Sequence, residues 1–130
     1  MPSFLHEAIV EMLRSQPELV LQLLRKSNLS PALDYDKVEV VSADLGVAQP
    51  PSLAADVVVQ LKHKDHAVLA VVIEVQLSVE AAKWYSWPAY AVSARSRYRC
   101  DAMLVVVTPY KHVARWAAKP IVLGPGLGLV

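Results

Sequence analysis

The stretch Val68-Leu69-Ala70-Val71-Val72-Ile73-Glu74-Val75-Gln76 decides how this chain is read. It is β-branched and apolar, and polar residues bound it, as expected of a buried strand. Strand alternation places Ala70, Val72, Glu74 and Gln76 on one face and Leu69, Val71, Ile73 and Val75 on the other. The two polar residues therefore share a face. An ionised carboxylate in apolar surroundings is costly unless it is paired, hydrogen-bonded or bound to a cation, so Glu74 requires a partner.

Upstream, Ala55-Asp56-Val57-Val58-Val59-Gln60-Leu61 has the same character, and the polar Lys62-His63-Lys64-Asp65-His66 lies between the two runs. Together they predict a β-hairpin. A turn over Lys64 to His66, with His63 opposite Ala67, sets Asp56 directly across from Glu74, where Cβ atoms are only ~4.5–5.5 Å apart. Two carboxylates that close repel unless one is protonated or a cation lies between them. Oxygen donors without a thiolate or a His pair suit a hard ion, Mg²⁺ or Mn²⁺. A one-residue slip of register would carry Asp56 to the opposite face.

Outward from the hairpin, the N-terminal side predicts two helices. In the first, Leu5, Ala8, Ile9, Met12 and Leu13 recur at helical spacing; the second starts after Pro17 and runs from Glu18 to about Arg25. A loop from Ser27 to Asp36 leads to a strand at about Lys37 to Ser42, and a second loop carries Gly46, Pro50 and Pro51. Beyond Ser78 the period changes to a long helix, about Val79 to Arg99. Its Trp84, Trp87, Ala91, Ala94 and Tyr98 lie near one side, and Pro88 marks a kink or a later start. Ala102 to Val107 predicts a buried strand, about Tyr110 to Ala118 a helix, and Ile121 to Leu123 a last short strand. The fold class is α/β, with a mixed sheet of about four to five strands and flanking helices. The hairpin is antiparallel, and the helical crossover after Glu74 favours a parallel neighbour.

At 130 residues and 55% apolar, the chain is expected to form one domain, with an apolar end, Gly124 to Val130, that suits packing on a partner or a shortened C-terminus. Apolar runs fall well short of the ~20 residues that span a bilayer, and acids at Glu7 and Glu11 do not suit a secretory leader. The single Cys100 fits a reducing cytoplasm. Net charge is only +1, but its distribution is uneven. Residues 1–82 hold eleven acids against six Lys/Arg, whereas residues 83–130 hold seven Lys/Arg against Asp101 alone. That asymmetry suits a polyanion-binding enzyme, and equally suits helices with ordinary solvated Lys and Arg. His63, His66 and His112 lack a metal-ligand spacing. Gly124-Pro125-Gly126 lacks the Lys-Ser/Thr that follows a phosphate loop.

Asp56 at a strand start, seventeen residues between it and the Glu74 of Ile73-Glu74-Val75-Gln76, and a long helix after them resemble the nuclease core of the PD-(D/E)xK superfamily. The likeness is to a D…E-x-Q variant found in uncharacterised bacterial proteins near the recombination-promoting nuclease/putative transposase group. Leu5-His6-Glu7-Ala8 and Lys83-Trp84-Tyr85-Ser86-Trp87-Pro88 are similar to that group as well. The resemblance spans residues 4–123 and implies a restriction-endonuclease-like core that hydrolyses DNA phosphodiesters with Mg²⁺ or Mn²⁺. It implies Asp56, Glu74 and the Val75 backbone carbonyl as metal ligands, and Glu7 as the helix acid that reaches the ion through water. Gln76 stands where lysine is usual, and Lys83 is a substitute if its side chain points back. Arg95, Arg99, Lys111 and Arg115 are the candidates for nucleic-acid contacts, and Trp84 and Trp87 for base stacking, although aromatics so spaced more often pack in a core. The other reading is a catalytically inactive descendant of that fold, used for oligomeric assembly or nucleic-acid binding.

Overall fold

The computed structural model describes residues 3–27, 34–45, 54–125 and 127–129. The predicted loop centres around Pro31, Gly46, Pro50 and Pro51, and the phosphate-loop comparison at Gly126, lie outside the described residues. The elements are α1 (Phe4–Ser15), α2 (Glu18–Lys26), β1 (Lys37–Val41), β2 (Val57–His63), β3 (His66–Val75), α3 (Lys83–Tyr98), β4 (Asp101–Val107), α4 (Lys111–Ala117), β5 (Ile121–Gly124) and β6 (Leu127–Leu129).

The central sheet has the order β1-β2-β3-β4, with β1/β2 and β2/β3 antiparallel and β3/β4 parallel. This is the mixed sheet that the hairpin and crossover predict. The last apolar segment does not join it: β5 pairs antiparallel with β6 in a separate two-stranded ribbon.

Because β2 and β3 are buried on both faces, they carry two cores. On one face Val57, Val59, Leu61, Leu69, Val71, Ile73 and Val75 pack with Val10 and Leu13 of α1 and Val20 and Leu24 of α2. On the other, Val58, Ala70 and Val72 pack with Trp87, Tyr90 and Ala94 of α3 and Val113 and Trp116 of α4. Glu74 and Gln76 belong by alternation to this second, α3-covered face.

Three details differ from expectation. The α1 stripe is centred on Ile9, Val10 and Leu13, while Leu5 and Met12 are exposed. Pro88 lies inside α3, which begins at Lys83, so the missing proline N–H falls within a continuous helix. Its buried stripe is Trp87, Tyr90 and Ala94, spaced i, i+3 and i+7, rather than one through Ala91.

The hairpin differs at its tip. His63 pairs with His66, so the turn is the two residues Lys64 and Asp65, both with positive φ (50° and 65°). A two-residue turn with positive φ at both positions matches the twist of the strands it joins. The Lys64 N–H donates to Asp36 Oδ2 at 3.1 Å, which anchors this strained position. Between Leu61↔Leu69 and Lys62↔Ala67 the ladder shifts by one, leaving Val68 as the extra residue of a bulge. The shorter turn and the bulge cancel. From Leu61↔Leu69 to Val57↔Ile73 the register is the predicted one, and it brings Asp56 beside Glu74.

The tryptophans pack on one another. Trp116 lies 5.3 Å from Trp87 and 6.2 Å from Trp84, centroid to centroid, the latter pair stacked. Trp87 is buried in the core, which removes it from base stacking; Trp84 is 39% exposed. Trp116 thus fastens α4 to α3, and Trp116→Ala is expected to cost about 3 kcal/mol in urea unfolding. A loss below about 1 kcal/mol would show that the aromatic cluster is not a fastening.

Candidate active site

Asp56 sits one residue before β2 and Glu74 one before the end of β3, and their main and side chains interlock. The Asp56 N–H donates to Glu74 Oε2 at 3.0 Å, and the Val75 N–H donates to Asp56 Oδ2 at 2.9 Å. Each carboxylate thereby spends one oxygen on the backbone beside the other residue. Glu74 is only 3% exposed, on the sheet face that α3 covers, within reach of Trp87 and Tyr90.

Burial, and then the neighbouring Asp56 charge, push the Glu74 carboxyl up to about 7. The Asp56 N–H, Lys83 and the Trp87 indole N–H act the other way. The Trp87 Nε1–H is itself buried without a hydrogen-bond partner at good geometry, so it acts on Glu74 as a nearby dipole. Tyr90 feels the same site: burial, then the Glu74 charge, raise its hydroxyl above the ordinary value.

Lys83, in the first turn of α3, reaches back so that its Nζ lies 3.7 Å from Glu74 Oε1. Gln76, 5% exposed, directs its amide nitrogen to the connection that follows β3. Its Nε2 donates to the Ser78 carbonyl (2.9 Å) and to Glu80 Oε2 (3.2 Å). Those two bonds use both amide hydrogens, leaving Gln76 only its acceptor oxygen. The side chain latches the β3–α3 connection.

A cleft of about 430 Å³ opens above these groups, lined among others by His6, Asp56, Val75, Gln76, Glu80 and Lys83. The side chain of Val75 belongs to the opposite core, so its backbone is what borders the cleft. Glu7 is 61% exposed at its side chain and stands behind His6, its Oε1 at 3.4 Å from His6 Nδ1. His6, absent from the sequence-derived site, is the α1 residue that touches the Asp56 carboxylate, with Nε2 at 3.2 Å from Oδ2.

The basic candidates divide between the two ends of the sheet. Leu69↔Asp101 and Val75↔Val107 are the outer pairs of β3 and β4, so the α3 C-terminus with Arg95 and Arg99 lies at the end away from Glu74. There they line a separate hollow with Ser96, Cys100 and Asp101. Lys111 and Arg115, one helical turn apart on α4, follow Val107 and lie at the Glu74 end.

Two residues escaped the sequence reading. His6 carries no spacing signal, since its partner Asp56 is fifty residues away. Tyr90 was legible in principle: Lys83, Trp87, Tyr90 and Ala94 form one helical stripe, and Lys83 already pointed that stripe at Glu74.

No family model, curated protein or solved structure matches this chain.

A carboxyl whose pKa rises on folding binds its proton more tightly in the native state than in the unfolded one. Stability is then fully present below about pH 4.5 and falls as pH rises to about 7, by at most about 3 kcal/mol. Glu74→Gln should abolish that component, so the stability difference between variant and wild type, followed by urea melts from pH 5 to 8 in EDTA, should grow in the variant's favour with pH. A difference independent of pH would show that Glu74 titrates normally.

Proposed function

We propose that this chain is a nuclease-type domain that hydrolyses DNA phosphodiesters with Mg²⁺ or Mn²⁺, in the manner of the PD-(D/E)xK superfamily it resembles. The observation that carries the reading is that Asp56 and Lys83 line one open cleft at the end of the hairpin and that both reach the buried Glu74 beside it. A structural role explains a buried carboxylate poorly when a second acid is held beside it, because each raises the cost of the other's charge.

The donor set fits a hard divalent ion. Among the described residues no group of three or more His, Cys, Asp or Glu side chains is arranged to hold a metal, so the candidate donors are two carboxylates and a backbone carbonyl. Mg²⁺ is satisfied by one or two carboxylates with the remaining positions filled by water and substrate oxygens. Asp56, Glu74 and the Val75 carbonyl would hold the ion. When bound, it supplies a water of lowered pKa and neutralises charge developing on the phosphate.

The chain's own groups do the rest. The Val75 and Asp56 N–H groups fix one oxygen of each carboxylate. Lys83 brings the positive charge that Gln76 lacks, its Nζ lying 3.7 Å from Glu74 Oε1 at the edge of the cleft. Gln76 keeps the loop that carries Lys83 in place through Ser78 and Glu80. Lys111 and Arg115, at the same end of the sheet, are suited to the DNA backbone, whereas Arg95 and Arg99 would meet only DNA that runs the length of the sheet.

The test is nicking of supercoiled plasmid and degradation of linear and single-stranded DNA, with Mg²⁺, Mn²⁺ or EDTA. Metal-dependent cleavage blocked by EDTA is expected. Absence of cleavage with either ion on every substrate would sink the enzymatic reading. Retained DNA binding in that case would favour the inactive nuclease-fold module, a reading that finds support in the Gln76 amide being spent on the loop.

A further inference from the structure

We infer that His6 is a positioning residue for Asp56, dedicating one carboxylate oxygen to the protein so that the other is presented to the cation; this rests on the metal-site reading above. Asp56 Oδ2 receives two contacts, the Val75 N–H at 2.9 Å and His6 Nε2 at 3.2 Å. A carboxylate oxygen can only accept, so the proton of the second contact belongs to the imidazole. With one donor from the sheet and one from α1, rotation of the carboxylate would break both contacts, and Oδ1 is left as the oxygen available to a cation.

The placement of His6 is itself built. Its N–H donates to Ser3 Oγ at 3.1 Å, the N-cap of α1, which sets the first helical turn over the end of the hairpin. Glu7 Oε1 lies 3.4 Å from Nδ1, on the side of the ring away from Asp56. Two turns along the same helix, the Arg14 guanidinium donates to the Asp56 carbonyl at 3.0 Å, so α1 grips this residue by side chain and main chain together. The His6 ring is 20% exposed and borders the cleft, close enough to water to be solvated and too covered to swing freely. Ligating carboxylates are normally held by such outer partners, whose removal weakens metal affinity by about 10–100-fold.

Mn²⁺ binding to the full chain, measured by calorimetry at one fixed pH, tests this without reference to cleavage. His6→Ala is expected to weaken binding by about 10–100-fold. His6→Gln, whose amide N–H₂ can replace the Nε2–H, should restore affinity to within about threefold of wild type. Wild-type affinity in His6→Ala, or a His6→Gln variant as weak as His6→Ala, would overturn the inference; the second result would mean that the imidazole itself is needed. Melting temperatures in EDTA identify a variant that fails to fold, and the glutamine variant then carries the test. Asp56→Asn/Glu74→Gln separates the two levels. If it binds Mn²⁺ like wild type, or if wild type does not bind, the site reading fails. If it loses binding while His6→Ala keeps it, only the role of His6 fails.

Discussion

Asp56→Asn/Glu74→Gln should lower metal-dependent cleavage on the order of 10³-fold or more while leaving the protein at least as stable as wild type. The amides keep a carbonyl oxygen for each structural acceptor role, so the Asp56 and Val75 N–H groups remain paired. What disappears is negative charge, and with it the electrostatic basis for holding a divalent ion. At pH 8 the stability is expected to rise, because a carboxyl pushed up to about 7 is ionised there at the expense of folding. The combination is diagnostic, since a merely structural pair would lose stability when altered. Plasmid nicking and thermal melts on the same preparations check both halves. Undiminished metal-dependent nicking in the double variant would remove these two residues from the chemistry.

Lys83→Ala is expected to lower the cleavage rate by about 10²–10³-fold, with a much smaller effect on DNA binding, the range seen when one preorganised donor to developing charge is lost. Lys83→Arg should retain part of the rate by keeping a cation near Glu74 Oε1. Adding Gln76→Lys to Lys83→Ala should regain at least about tenfold, because position 76 borders the same cleft. The recovery stays partial because Glu80, which now accepts from the Gln76 amide, competes for the new ammonium. Single-turnover cleavage with DNA binding measured in parallel reads these effects. A Lys83→Ala variant with wild-type turnover would remove the lysine from the mechanism.

The sequence made the architecture legible because its central strands β2 and β3 are buried on both faces and read as near-continuous apolar runs, while its helices carry 3.6-residue stripes. The order of elements through β5 and the antiparallel-then-parallel sheet followed from those periods and from the length of the connection after Glu74. Helix faces were less legible. Met12 and Leu5 are apolar yet outward, because hydrophobicity alone does not say which edge of a broad stripe the sheet covers. Within the site, Glu74 and Asp56 could be found from cost and register, both local arguments. His6 could not, since it arrives from a helix on the other layer and only the packing of α1 across the sheet end brings it near. Gln76 was visible as a polar residue, but its hydrogen-bonding direction depends on the conformation of Ser78 to Glu80, which no periodicity encodes.

The bulge at Val68 has a consequence for how the hairpin tolerates change. Side-chain direction along paired strands is a matter of parity, odd or even, and an unmatched residue that no bulge absorbs would reverse it. Here the bulge stores one unmatched residue at the tip, beyond the last regular pair Leu61↔Leu69. Deleting Val68 joins Lys62↔Ala67 and Leu61↔Leu69 into an unbroken ladder and leaves Asp56 facing Glu74 as before. The tip thus absorbs a one-residue change of length at Val68 without turning the acid pair.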